Sequence, residues 1–316
     1  MPPSNLDAPV RANSVTQVGD GVAQLFDTSA QDRAITAHRR RWYSNVDQYL
    51  LWLVLTIGAI AMVAPFYWML ITSFKVRQEL IRYPPTWWPE EFTWTNWQAL
   101  NDLTAGSFNL FFRNSLFVAS AITILTLLVS SMAVYVFAKL PFPGRDRLFW
   151  VVLSMMMIPF TVSIIPSFAL MDRLGWIDSY LALIVPIVFN PFGIFLMRQF
   201  MMALPADLLD AARMDGASEF RVFFQIAIPL SQAALAALGI LTFLAQWDNF
   251  LWPLVILNDP DKYTVPIGLA QFRGRMGTDV GPTAAGSILA VLPVLIIYIF
   301  AQRKFVEGIA LTGLKG

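Results

Sequence analysis

Few residues in this chain could carry catalytic chemistry. It has no cysteine and a single histidine, His38, set beside Arg39, Arg40 and Arg41 in a polar stretch. Disulfides, thiolate catalysis, Cys-ligated zinc and His-based metal or triad sites are therefore excluded. No G-x4-G-K-[ST] phosphate loop occurs, so the chain lacks that means of hydrolysing a nucleotide. Two constellations remain. One is Asp210-Ala211-Ala212, with Asp215-Gly216 at fixed spacing and then, after nine residues, Ile226-x-Ile228-Pro229. Its alanines form a small surface that a partner can approach closely, which is docking chemistry rather than bond-making. The other is a set of side chains able to hydrogen-bond or stack in otherwise apolar sequence: Asn190, Gln246, Asp248, Asn249 and Trp252.

The elements that must position these residues are set by the solvent. Of the 316 residues 57% are hydrophobic and 14% charged, against about 25% charged in soluble domains, which points to lipid. The net charge of +1 gives no argument for nucleic-acid binding. A bilayer core takes about 20 apolar helical residues. Stretches of that size lie at Gln48–Phe74, Asn114–Ala138, Leu148–Met171, Ser179–Met197, Val222–Trp247 and Val280–Gln302. The expected fold class is thus an all-α polytopic membrane protein with six transmembrane helices. The fifth is expected to start near Pro229, since proline suits a first helical turn, and to run past Asp248 to about Leu257. Pro65, Pro159, Pro166, Pro186, Pro191, Pro253 and Pro293 interrupt the spans, a pattern that fits a transport pathway better than a lipid anchor.

Six spans put both termini on one side, and the Lys and Arg count says which. With the termini cytoplasmic, the inner segments hold 14 of the 22 basic residues and the outer ones eight. The implied organisation is a mobile cytoplasmic tail at 1–47, a first span at 48–74 and an external loop at 75–110. A core at 111–302 follows, holding spans two to six, and a cytoplasmic tail at 303–316 ends the chain. The first tail holds no apolar run of signal-peptide length; a regulatory helix near Val22–Ile35 is the other reading of it. Trp87, Trp88, Trp94 and Trp97 crowd the external loop. They suit an interfacial aromatic belt or a docking surface for an external protein.

Between spans four and five, 203–229 reads as short helix, turn, short helix. Asp207 is expected to cap the first helix, Gly216 to supply the positive-φ stop, and Ser218 to begin the second. Phe220, Phe223, Phe224 and Ile226 are spaced to form one apolar face.

This segment resembles the cytoplasmic E-A-A-x3-G-x9-I-x-L-P signature of ABC importer permeases, with Asp210 for the first Glu and Ile228 for the Leu. Gln246-Trp247-Asp248-Asn249-Phe250-Leu251-Trp252-Pro253-Leu254 resembles the W-N-x-F-x-x-P-L pattern of carbohydrate importers, with Asp248 replacing the usual Asn. Phe305-Val306-Glu307-Gly308-Ile309 through Gly316 is similar to the tail of the smaller permease subunit of maltose-type importers. The likeness covers about Tyr49 to the C-terminus. It implies a type I ABC importer permease fold in a bacterial or archaeal plasma membrane. It also implies a complex with a second homologous permease, two ATP-binding subunits and an extracytoplasmic sugar-binding protein. ATP and magnesium would be used by the partner ATPases and no cofactor by this chain. Asp210, Ala211, Ala212, Asp215, Gly216, Ile226 and Pro229 would then form the coupling loop.

Asp248 is expected inside the fifth span, where an acid needs a polar interior or a partner. Thr242, Gln246, Asn249 and Pro253 form a polar stripe at helical spacing, Trp252 is placed to stack on a sugar face, and Asn190 is the next polar candidate. Direct sugar contact and interhelical hydrogen bonding both account for these residues. A permease for a polyol or glycerol phosphate is the nearest alternative. An ion-coupled secondary transporter would leave the 210–229 signature unexplained.

Overall fold

The structure, a computed structural model, describes residues 45–102, 108–274 and 280–313, with side chains at 48–100, 108–271 and 280–300. Most of the expected 1–47 tail, with the helix proposed near Val22–Ile35, lies outside the described residues, as do the side chains of 303–316. The chain divides into two compact units, Met1–Pro65 and Phe66–Gly316. Every described element that could span a membrane is helical, as it must be where no water satisfies the backbone.

Among the described residues, three helices are long and apolar enough to cross a membrane unbroken. They lie within α1 (Asn45–Ser73), α3 (Phe108–Lys139) and α13 (Val280–Gly313). A shorter helix, α2 (Thr95–Asp102), precedes α3. The other three spans are broken pairs. Helix α4 (Arg145–Ser154), with a tight turn to Met157, meets α5 (Phe160–Arg173) at 99°. Helices α6 (Tyr180–Val188) and α7 (Pro191–Met202) meet at 41°. Residues Glu219–Leu230 meet α10 (Gln232–Trp247) at 78°. With each bent pair taken as one span, the described residues hold six spans, three of them bent. The first two breaks fall at Pro159 and Pro191, each lacking the N–H that would continue the ladder. Pro65, Pro166, Pro186 and Pro293 stay inside helices.

The remaining elements join the spans. Helix α8 (Ala206–Met214) and α9 (Glu219–Val222) lie between α7 and α10. Helices α11 (Leu251–Ile256) and α12 (Val265–Gly274) lie between α10 and α13. Helix α3 supplies residues to all three buried apolar clusters: Tyr135 and Phe137 to one, Val118 and Ile122 to another, Phe108 and Phe111 to the third.

The segment after α1 is folded rather than a slack loop. Phe74 packs against Phe92, Trp94 and Trp97. Asn96 donates Nδ2 to the carbonyls of Ser73 at 3.0 Å and Lys75 at 2.8 Å. Lys75 and Glu79 are only 2% and 6% exposed, yet both are satisfied. Lys75 donates to the Thr86 carbonyl and lies 4.7 Å over the Trp68 ring, while Glu79 accepts from the Thr86 hydroxyl and the Glu90 N–H. Buried charges persist only when partnered in this way.

Candidate functional site

The 203–229 segment is a closed helix-turn-helix. Helix α8 begins after Pro205, which stands at the cap position. Asp207 therefore sits in the first turn rather than capping it, where its charge faces the positive end of the helix dipole. The stop matches expectation: Gly216 adopts φ 82°. Ala217 N–H donates to the Ala212 carbonyl and Gly216 N–H to the Arg213 carbonyl, each at 3.0 Å. This paired closure satisfies the helix's last carbonyls, and the left-handed residue it needs is cheapest as glycine.

Arg213 locks the turn. Its Nη1 donates to Asp210 Oδ1 at 2.7 Å, and its Nε and Nη2 fork onto Glu219 at 2.8 and 3.3 Å. These bonds, from Glu219 first and then Asp210, hold the guanidinium pKa above its ordinary value. Glu219 also accepts the Tyr135 hydroxyl at 2.5 Å. Ala211 stays open, as do Asp210, Asp215 and Pro229. Leu208, Phe220 and Met214 are 50%, 69% and 88% exposed.

The second helix departs from expectation. Ser218 begins α9 without a side-chain cap bond, and Phe223–Ala227, holding Ile226, then forms a wider π-type turn. Such a turn carries an inserted residue and rotates side chains off the ordinary helical wheel. The four expected face residues therefore separate: Phe223 is buried, Phe220 and Phe224 are exposed, and Ile226 is half-buried.

The fifth span is shorter than its apolar sequence. It breaks at Ser231 and ends at Trp247, so Pro229 precedes the long helix instead of opening it. Asp248 is the exposed residue that closes α10, not an acid within a continuous span to Leu257. Gln246 and Asn249 bond each other, Nδ2 to Oε1, at 3.1 Å. Trp252 is 1% exposed and donates Nε1 to the Ala182 carbonyl at 3.0 Å, so its ring is core and offers no face for stacking. Asn190 caps α7, accepting from Phe192 and Gly193 N–H at 3.0 and 3.3 Å.

Gln246, Asn249 and Trp252 come together with Ser115 and Thr264 around a cleft of about 10 Å³, which holds about one water. Asn190 and Asp248 do not line it. No motif in the sequence marks Arg213 as a bonding partner, nor Glu219, Tyr135, Asn114, Ser115 or Asp178. Asp178, at φ 58°, accepts from Asn258 and Asp259 N–H and from Lys262 Nζ at 2.7 Å. Burial works against its carboxylate, but the Lys262 and backbone bonds outweigh it and hold the pKa below the ordinary value. Polar residues at the rim of an apolar span, as Asn114 and Ser115 are, were the one signal available.

Residues 127–307 match the family model of the binding-protein-dependent transport system inner membrane component. The chain belongs to this family. It is 40% identical to the arabinooligosaccharides transport system permease protein AraQ of Halalkalibacterium halodurans, over 84% of this chain and 97% of that one. It is 34% identical to the lactose transport system permease protein LacG of Rhizobium radiobacter, over 85% and 96%. The sn-glycerol-3-phosphate transport system permease protein UgpE of Pectobacterium atrosepticum is 35% identical over 81% and 93%. A solved bacterial ABC transporter involved in the import of alginate superposes with a TM-score of 0.73, at 21% identity, over 83% of this chain and 98% of that one. As a member of this permease family the chain is a non-catalytic, multi-pass membrane subunit. The matched region holds the whole helix-turn-helix and the Gln246–Trp252 stretch.

Proposed function

We propose that this chain is one permease of a type I ABC importer for a sugar or oligosaccharide. It works beside a second homologous permease, two ATP-binding subunits that hydrolyse magnesium ATP, and an extracytoplasmic sugar-binding protein. Both termini and the 203–229 segment are cytoplasmic, and that segment docks in the ATPase. The observation that carries this reading is the locked turn at Gly216, which holds its polar groups internally and leaves Leu208, Met214 and Phe220 uncovered. Exposed apolar side chains on a rigid motif are suited to being covered by a partner.

Relatives named for arabinooligosaccharides, lactose and glycerol phosphate leave two solute classes in play. The chemistry of the path favours the sugar. The amides of Gln246 and Asn249 suit hydroxyls, the Asp248 carboxylate would repel a phosphate ester, and no Lys or Arg lines the 10 Å³ cleft.

The absence of native cysteine makes the test clean. In cells expressing the importer, Ser218→Cys should react with an impermeant maleimide only after permeabilisation, and Asn258→Cys without it. Met214→Cys should cross-link to the ATP-binding subunit. External labelling at position 218 would reverse the orientation and remove the docking argument.

A further inference from the structure

Helix α3 is bonded at both ends to the parts that must move together. Near its C-terminal end the Tyr135 hydroxyl donates to Glu219 at 2.5 Å, and Lys139 Nζ donates to the Leu204 carbonyl at 2.8 Å. Residues four apart lie one above the other on a helix, so one face of α3 holds both the entry of the coupling segment at Leu204 and the start of its second helix at Glu219. At the other end Asn114 donates Nδ2 to the carbonyls of Asp261 at 2.7 Å and Tyr263 at 3.0 Å. The neighbouring Ser115 hydroxyl accepts the Val265 N–H at 2.8 Å. Val265 opens α12, so this bond satisfies one of the orphan donors of that helix start.

The contact is close as well as polar. A Cβ on Gly268 of α12 would come within 2.2 Å of the Phe111 ring, so α12 lies directly on α3. Ser115 and Thr264 also border the cleft with Gln246 and Asn249. From Asn114 to Tyr135 the helix is unbroken and free of proline, a rise of about 32 Å. Three other spans bend by 41°, 78° and 99°, and a bent span can absorb displacement at its break. An unbroken helix bonded at both ends passes it on.

Resting on the permease reading above, we infer that α3 is the strut that carries movement of the coupling segment to the 258–267 segment. Tyr135 and Asn114 are the positioning residues at its two ends. Breaking either end should lower solute transported per ATP hydrolysed by about 2- to 30-fold, the usual span for residues that modulate coupling.

The test uses the assembled importer in proteoliposomes, with single cysteines at Ser218, which is exposed and makes no side-chain cap bond, and Asp261 as inner and outer reporters. The bond from Asn114 goes to the backbone of Asp261, so Asp261→Cys leaves it in place. In the otherwise unaltered chain a non-hydrolysable ATP analogue should change the labelling rate at both reporters. In Tyr135→Phe, which keeps the ring packed on Phe223 at 5.3 Å and the Lys139 bond in place, the inner response should persist and the outer one should fall about 2- to 30-fold. Asn114→Ser should do the same. The double variant should lose no more coupling than the worse single one, because both break one strut. An outer response undiminished in either single variant, or losses that multiply in the double, would overturn the strut. If the analogue moves neither reporter in the unaltered chain, the coupling assignment itself fails, and the strut with it.

Discussion

In the 203–229 segment one polar cluster is bonded within itself while three large apolar side chains are left uncovered. Arg213, Asp210 and Glu219 bond one another across the Gly216 turn, while Leu208, Met214 and Phe220 face away uncovered. Around the far end of α10 the order is reversed. Asn190 caps a helix, Gln246 bonds Asn249, and the large aromatic Trp252 is packed out of reach. A docking surface must leave apolar area for a partner to cover, whereas a break in a span must satisfy its freed polar groups on the spot. On the proposed function, the two regions differ because one is finished by the ATP-binding subunit and the other largely by its own chain.

The largest effect expected from this contrast is at Trp252. Trp252→Ala should destabilise the subunit by about 3–5 kcal/mol, the usual range for emptying a core aromatic site. Thermal unfolding of the purified complex would show it, and the complex that survives should keep its solute preference. Altered preference at unchanged stability would make Trp252 a solute ligand and break the comparison.

Gly216→Val comes next. Nothing lies within 4 Å of the added Cβ, so the damage is confined to the backbone at φ 82°. A left-handed residue with a side chain costs about 1–2 kcal/mol. Shifting the turn by that amount predicts about a 5- to 30-fold fall in uptake, with membrane insertion intact. Normal uptake and normal ATPase association would erase the difference between this turn and an ordinary surface loop.

The smallest effects belong to Asn249→Ala and Asp248→Ala. A hydrogen bond to solute is worth about 0.5–1.5 kcal/mol net, so uptake should fall about 2- to 12-fold while recovery of the complex is unchanged. Recovery falling before uptake would place these residues at the contact between permeases. No change in either would leave Asp248 a wetted helix end.

Legibility followed locality. The Gly216 stop was readable because one residue's missing Cβ and a fixed run of neighbours decide it. Hydrophobic runs gave all six spans, since length and polarity alone govern what lipid accepts. Asp248 was misplaced because an apolar run does not say where its backbone turns. The run continues through Leu251–Ile256, and the break shows only in the spent bonds of residues 248 to 250. Trp252 was misread for a related reason: helical spacing puts it near Asp248, but burial against Ala182 comes from a helix 70 residues away in the chain.

The sequence by itself determined the solvent, the number of spans, the exclusion of cysteine and histidine chemistry, and the helix-turn-helix at 203–229. Each of these depends on composition or on neighbours a few bonds apart. Only the tertiary structure decided which spans bend, that Arg213 and Glu219 lock the turn to Tyr135, and that Asn114 holds the Asp261–Tyr263 backbone. The last of these joins residues 147 positions apart. Such bonds satisfy polar groups that folding alone brings together, and no local pattern of residue types records which pairs will meet.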